Sequence, residues 1–128
     1  MADVVICSAE ADRAAVETLA AALRGEGHDL FLTEAATAEE IGAAGAVIVV
    51  WSANAAASRD VRATAGIAYE EDRLIQVSVD GRMPPLPFSQ LHFVSIEDWR
   101  GEADHPAWTK VRESVAARCG PGAEDRSL

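Results

Sequence analysis

The sequence predicts an α/β fold in which a parallel sheet is covered by helices on both faces. The segment Ala46–Trp51 is an unbroken apolar run, typical of a strand buried on both faces in the middle of a sheet. Strand-like runs alternate with helical patterns along the chain, which indicates parallel pairing through right-handed crossovers. Open α/β sheets bind ligands at the carboxyl end of such strands, so we expect any site around Ser52–Thr64.

The first half of the chain contains two predicted strands and two predicted helices. Asp3–Cys7 is a short apolar strand, and the helix that follows it ends at Gly25 and Gly27. His28–Leu32 is the second strand. The segment Thr37–Glu40 has the spacing of a capping box, and the glycines after it limit that helix to about two turns. The apolar stripe of the first helix is formed by Val16, Leu19, Ala20 and Leu23.

The second half begins with the central strand and continues with two further strands. A polar turn at Ser52–Asn54 follows the central strand, and a helix runs from about Ser58 to Ala68. Apolar and polar residues alternate in the strand Arg73–Val79, so we expect one of its faces to be more polar. The stiff loop Pro84–Pro87 leads to a fifth strand, Leu91–Ile96.

The last predicted helix begins at Asp104, an N-cap residue, with Pro106 in its first turn. We expect one domain over residues 1–119 and a flexible tail over residues 120–128. The inner stripe of this helix is formed by Trp108, Val111, Val115 and Cys119.

The natural order of the five predicted strands is 2-1-3-4-5, which makes the fold a flavodoxin-like three-layer sandwich. The loops after Cys7 and Trp51 then face one cleft at the switch point of the sheet. This architecture serves many functions, so it does not by itself identify the chemistry.

Composition restricts the partners and the compartment. The net charge of −10 argues against nucleic acid and anionic membrane surfaces, but it leaves a basic protein partner open. The two cysteines suggest no disulfide framework, and the amino terminus enters a strand with no basic region ahead of it. No apolar run approaches the length of a membrane span. We therefore expect a cytoplasmic protein.

Several common chemistries of this architecture lack the residues they need. The loop Cys7–Asp12 has no glycine and two acids, which disfavours a phosphate-binding loop. A phosphoacceptor would need a carboxylate at the end of the third strand, where Trp51 and Ser52 stand instead. The histidines lie far apart without ligand spacing, so no metal site is expected. Ser52 and Ser58 have no nucleophile elbow or nearby histidine and are expected to cap turns and a helix.

Five stretches occur in an order and spacing that resemble one known family. They are Asp3–Ser8, Gly25–Leu30, Ala46–Asn54, Arg73–Ile75 and Asp98–Trp99. Taken in the same order, they resemble five features of bacterial Toll/interleukin-1 receptor (TIR) domains. These features are the opening strand, the entry to the second strand, the third strand with its S-x-N turn, the fourth strand and the late Asp-Trp pair. The resemblance covers residues 3–119 and implies a signalling module that pairs with other TIR domains.

One departure from the family concerns the catalytic residue. Catalytic TIR domains cleave the nicotinamide–ribose bond of NAD⁺ with a glutamate six residues after the serine matched here by Ser58, and that position holds Thr64. A neutral hydroxyl lacks the charge that stabilises a cationic transition state. Asp60 shares the same helix face, but it starts about 6 Å away and is a weak substitute. The resemblance therefore implies a degenerate member without the catalytic glutamate.

The second departure is the short segment Glu34–Gly45 between strands two and three. The family usually has a longer loop there, which covers the nucleotide cleft and mediates assembly. Its shortening removes a lid that would exclude water from the reaction. Both departures indicate reduced or absent catalysis.

The leading hypothesis is a pseudoenzyme: a TIR-like interaction module without NAD⁺ hydrolysis and without a cofactor, acting as a homodimer or in a hetero-assembly. One alternative is an NAD⁺ nucleosidase with an altered site around Asp60, Ser52 and Ser8, and another is a sensor that binds a nucleotide without cleaving it. An unrelated flavodoxin-like fold is the remaining alternative. The side chains expected to contact a bound nucleotide are Ser8, Trp51, Ser52, Asn54 and Thr64.

Overall fold

The computed structural model describes residues 3–119 as a five-stranded, all-parallel sheet in the order β2-β1-β3-β4-β5. This confirms the predicted flavodoxin-like α/β fold and strand order. The predicted tail, residues 120–128, lies outside the described residues. The strands are β1 (Val4–Cys7), β2 (Leu30–Thr33), β3 (Ala46–Trp51), β4 (Leu74–Ser78) and β5 (Val94–Ser95). The helices are α1 (Arg13–Gly25), α2 (Ala38–Ala43), α3 (Ala53–Ala57), α4 (Arg59–Glu70) and α5 (Pro106–Cys119), with short 3₁₀ turns at Glu10–Asp12 and Phe88–Gln90.

Two hydrophobic clusters lie on opposite faces of the sheet and make the three layers. One face packs against α1 and α5 and buries Val4 and Ile48, while the other packs against α2, α3 and α4 and buries Val5 and Val47. Every residue of β1 and β3 is buried, as the unbroken apolar runs predict. The four predicted stripe residues of α1 are its buried residues, and in α5 the predicted stripe is buried apart from the half-buried Cys119.

The structure differs from the sequence prediction in the region after β3. A short helix, α3, replaces the predicted polar turn because two side chains cap its first amides. Ser52 Oγ accepts a hydrogen bond from Ala55 N–H at 3.0 Å, and Asp80 Oδ2 accepts one from Ala53 N–H at 3.0 Å. Asp80 follows β4, so its contribution is not visible in the local sequence.

The face of β4 that was expected to be more polar is buried. Trp51 Nε1 donates to Gln76 Oε1 at 2.8 Å, and Gln76 Nε2 donates to the carbonyl oxygens of Phe88 (3.1 Å) and His92 (3.2 Å). Because the Gln76 side chain satisfies the carbonyl of His92, the chain runs beside β4 there without ladder pairing. Val94–Ser95 pairs with β4, and Ile96 N–H donates to the Ser78 carbonyl oxygen at 2.8 Å, so the fifth strand is shorter than the predicted Leu91–Ile96 mainly at its start.

Two further boundaries differ from the prediction. β2 begins at Leu30 rather than His28, because Gly27 turns the chain with φ of 90° and Asp29 N–H bonds the Asp3 carboxylate first. The first turn of α5 is capped by His105, whose Nδ1 accepts from Ala107 N–H at 3.1 Å, whereas the sequence predicted Asp104 for this role. Within residues 3–119 no helix is long and apolar enough to cross a membrane.

The start of β3 packs closely against the end of α5, and an added methyl group at Gly45 tests this contact. A Cβ at Gly45 would lie 2.6 Å from Cys119 Sγ and 3.3 Å from Cys119 Cα. We expect Gly45→Ala to lower the free energy of unfolding by about 1–3 kcal/mol, as overpacking does. Urea denaturation measures the change.

Gly42→Ala is the matched control, because a Cβ at this exposed helical position meets nothing within 4 Å. It should leave stability unchanged or raise it by about 0.5–1 kcal/mol. Equal stability of the two variants would contradict the described packing.

Candidate functional site

The predicted site lies where β1 and β3 end side by side. Ser8 follows β1 and Ser52 follows β3, and both side chains are largely buried. The carboxylate of Asp12 joins the two segments, because it accepts hydrogen bonds from the Ser52 hydroxyl and from Asn54 Nδ2, the latter at 3.3 Å. In the sequence, Asp12 indicated only that the loop after β1 disfavours phosphate. Its pairing with Ser52, 40 residues away, depends on the parallel order of the strands.

Carboxylates surround the amino-terminal end of α3. Asp12 binds the Ser52 side chain, and Asp80 accepts from Ala53 N–H while also forming an ion pair with Arg82 at 3.4 Å. The amino-terminal amides of a helix attract anions, and here side chains of the chain itself bond the first of them. This edge of the sheet therefore presents negative charge to any approaching phosphate.

Thr64 lies under the segment that connects β2 to α2. Its side chain is 2% exposed, and its Oγ1 accepts a hydrogen bond from Ala36 N–H at 3.1 Å. This amide lies 28 residues before Thr64 in the sequence. The β2–α2 segment is thus fixed onto α4 at this position.

Ser58 connects the same segment to the start of α4. Its Oγ accepts from Val61 N–H at 3.2 Å, which makes it the N-cap of α4, and its hydroxyl donates to Glu34 Oε2 at 2.9 Å. Glu34 was not predicted as a site residue, since only the folded β2–α2 segment brings it to Ser58. Asp60, in the first turn of α4, is exposed.

Cys7 is enclosed by this cluster. Burial raises the pKa of its thiol from 9.0 to about 12, a hydrogen bond with Thr64 opposes that rise, and the charges of Glu34 and Asp60 add to it. Its Sγ–H donates to the carbonyl oxygen of Glu34 at 3.3 Å. The thiol is therefore protonated and unreactive near neutral pH.

The residues expected around a nucleotide lie in different surroundings. The Trp51 side chain is 1% exposed and packs against Phe88, with ring centroids 5.6 Å apart, while Asn54 is exposed. Ser52 and Asn54 meet at Asp12, whereas Thr64 lies with Cys7 and Ala36. Whether these residues bind a nucleotide stays a prediction.

A groove of about 540 Å³ lies away from these residues. It opens between the beginning of β4 and the end of α5. Among residues 3–119 no group of His, Cys, Asp and Glu side chains is arranged to hold a metal ion. Residues that line the groove include Tyr69, Leu74, Leu91, His92, Val94 and Arg118.

One family model and one solved structure are similar to this chain. The family model described as "TIR domain" matches residues 4–111. Among solved structures, the TIR domain of the Toll-related receptor TRR-2 from Hydra magnipapillata superposes with a TM-score of 0.73 at 20% identity, covering 90% of this chain and 98% of that one. At this identity the likeness shows the fold. No curated protein matches the sequence significantly.

The hydrogen bond between Thr64 and Ala36 can be removed with little change in shape. In Thr64→Val the buried Ala36 amide loses its acceptor, so we expect the free energy of unfolding to fall by about 1–3 kcal/mol. Urea denaturation measures this loss, and amide exchange at Ala36 should accelerate in parallel.

Thr64→Ser is the control, because it keeps the hydroxyl and loses only a methyl group. Its Ala36 amide should stay protected. A valine variant with unchanged protection at Ala36 would show that this bond does not hold the β2–α2 segment.

The raised pKa of Cys7 makes stability depend on pH. The thiol ionises near 9.0 in the unfolded chain and near 12 in the folded protein, so the unfolded chain releases its proton first as pH rises. The contribution of Cys7 is therefore complete below pH 9 and declines between pH 9 and 12, by about 1.4 kcal/mol per pH unit. Urea unfolding over this range should give a steeper decline for the wild type than for Cys7→Val. Parallel curves would contradict the burial of the thiol.

Proposed function

The chain belongs to the TIR domain family, and from that premise we propose that it is a signalling module that binds other proteins and does not hydrolyse NAD⁺. One observation carries the proposal. At the position where the resemblance requires a catalytic glutamate, the chain has Thr64, an uncharged side chain that is buried and already bonded to Ala36.

The missing charge supports the absence of catalysis. Cleavage of the nicotinamide–ribose bond develops positive charge on the ribose, and a fixed carboxylate stabilises it. A threonine hydroxyl carries no charge. Loss of such a group costs several kcal/mol of barrier, and each 1.4 kcal/mol corresponds to about a tenfold loss in rate.

The packing around Thr64 supports the same conclusion. The β2–α2 segment rests on α4 through the Ala36 amide, and α2 places Ile41 in the hydrophobic cluster shared with α4. A ribose would have to displace this segment before it could reach Thr64. The closed approach to Thr64 therefore supports the proposal that no ribose reaches it.

The exposed surface favours protein partners that carry basic residues. The chain has twenty-one acidic and eleven basic residues, and Asp60, Glu39 and Glu40 are exposed on α4 and α2. We propose the segment 34–45 and the outer face of α4 as contact surfaces. The setting that fits the resemblance is cytoplasmic and bacterial, with a homodimer or a hetero-assembly with an active TIR relative. Sedimentation of the chain alone and mixed with such a relative tests the assembly.

A second candidate, an NAD⁺ nucleosidase with an altered site, is favoured by one observation. The Glu34 carboxylate accepts a hydrogen bond from Ser58, the residue matched to the family serine, and both Glu34 and Asp60 act electrostatically on the nearby Cys7. A carboxylate is therefore present beside Ser58, although on a different element. A sensor that binds a nucleotide without cleaving it would use the same surroundings.

Incubation of the purified protein with NAD⁺ tests the proposal, with an active TIR hydrolase as the positive control. We expect no nicotinamide above background when the products are separated by chromatography. Thr64→Glu should not restore turnover, because the new carboxylate would be buried against the Ala36 amide and Cys7. Thr64→Gln controls for the size of the side chain.

Turnover by the wild type would overturn the proposal, and two variants would then identify the acid responsible. Loss of turnover in Glu34→Gln but not in Asp60→Asn would establish the second candidate with Glu34 as its carboxylate. Calorimetric titration with NAD⁺ and ADP-ribose separates the sensor from the interaction module, since binding without nicotinamide release indicates a sensor.

A further inference from the structure

The outer edge of β2 is open. β2 stands at one end of the strand order and pairs only with β1 within residues 3–119. Asp29 C=O accepts from Val4 N–H at 3.2 Å, and Thr33 C=O accepts from Ser8 N–H at 3.0 Å. Because alternate residues of a strand face opposite neighbours, the N–H and C=O groups of Leu30 and Leu32 point away from β1. In the described part of the chain they have no hydrogen-bond partner.

One face of the sheet is also only partly covered at β2. The Leu30 and Leu32 side chains pack against the cluster under α1 and α5. Phe31 points to the opposite face, where it is 38% exposed. The six-residue helix α2 does not cover it, because α2 places Ile41 in the cluster over β1 and β3.

β2 is short, with four residues, but it carries none of the side chains that usually protect an edge strand. Its sequence, Leu-Phe-Leu-Thr, contains no proline and no charged residue. Exposed edges of this kind pair with other chains unless a charge, a bulge or a proline prevents it. The open backbone groups and Phe31 together form a template for one more strand, with a single aromatic contact.

The charges at the ends of β2 indicate what kind of strand fits. Glu26 and Asp29 precede it, and Glu34 follows it. Arg24, at the end of α1, is the nearest preceding arginine or lysine in the sequence. A second copy would bring the same acids and another net charge of −10 to this edge, which opposes self-pairing.

We propose that the outer edge of β2 binds an extended apolar segment of a partner protein, flanked by basic residues, as a sixth strand of the sheet. Backbone bonds to Leu30 and Leu32 hold it, Phe31 contacts its apolar side chains, and the acids at the two ends of β2 attract its flanks. This inference rests on the proposed function and supplies the chemistry of the partner.

Two synthetic peptides test the edge on the intact chain by NMR. The probe is Lys-Lys-Thr-Val-Thr-Val-Thr-Lys-Lys, and its control carries glutamates in place of the four lysines. We expect the lysine peptide to bind, with affinity falling as salt rises, and to protect the amides of Leu30 and Leu32 from exchange. The Phe31 amide already faces β1 and should change little. The glutamate peptide, and a lysine peptide methylated on alternate backbone nitrogens, should not bind.

Variants separate the apolar contact with Phe31 from the attraction of the acidic residues for the lysines of the peptide. Phe31→Thr keeps a strand-forming residue and should weaken binding about fivefold. Asp29→Lys should weaken it about three- to tenfold. Glu113→Lys on α5 makes the same change of net charge on an exposed position away from β2 and should have little effect.

Three outcomes would overturn the proposal. The first is that the lysine peptide does not bind, and the second is that it binds but protects the amides of β4 instead of those of Leu30 and Leu32. The third is that Leu30 and Leu32 are protected without peptide and the chain sediments as a dimer. The last outcome would make a second copy the occupant. None of them bears on nicotinamide release, so failure of this inference is distinguishable from failure of the proposed function.

Discussion

The hydrogen bond from the Ala36 amide to the Thr64 hydroxyl is the contact on which the described site depends. It fixes the β2–α2 segment onto α4, and the pairs of Ser58 with Glu34 and of Cys7 with the Glu34 carbonyl lie on either side of it. A buried amide without an acceptor is unfavourable, so the segment and the helix stabilise each other's position. A glutamate here would need space and water that this packing excludes. The uncharged residue and the closed segment are therefore consistent with each other.

The carboxyl edge of the sheet differs from that of α/β proteins that bind anions. Such proteins leave the first amides of a helix open to the ligand. Here Ser52 and Asp80 bond those amides in α3, and Asp12 adds a second carboxylate at the same edge. Charge and hydrogen bonding thus act in the same direction, because carboxylates repel phosphate and the amides of Ala53 and Ala55 are already bonded.

Much of the fold could be predicted from the sequence, because it follows from local patterns of apolar and polar residues. The burial of β3 could be predicted from its apolar run, and that of α1 from the spacing of its apolar residues. The order of the strands follows from the alternation of strands and helices along the chain. The contacts at the site could not be predicted in the same way. Glu34 meets Ser58 across 24 residues and Asp12 meets Ser52 across 40, and no local pattern encodes such pairs. The partners of Gln76 are equally absent from the local pattern, since they lie on β3 and in the loop before β5.

The short β2–α2 segment affects both the accessibility of Thr64 and the exposure of β2. A segment of this length reaches α4 and closes the position of Thr64, but it leaves only six residues for α2. So short a helix covers the sheet over β1 and β3 and does not extend over β2, where Phe31 remains exposed beside open backbone groups. A longer segment could open the position of Thr64 and cover β2, and it would reverse both effects. In this chain, the closed position of Thr64 and the open edge of β2 therefore follow from one structural feature, the short β2–α2 segment.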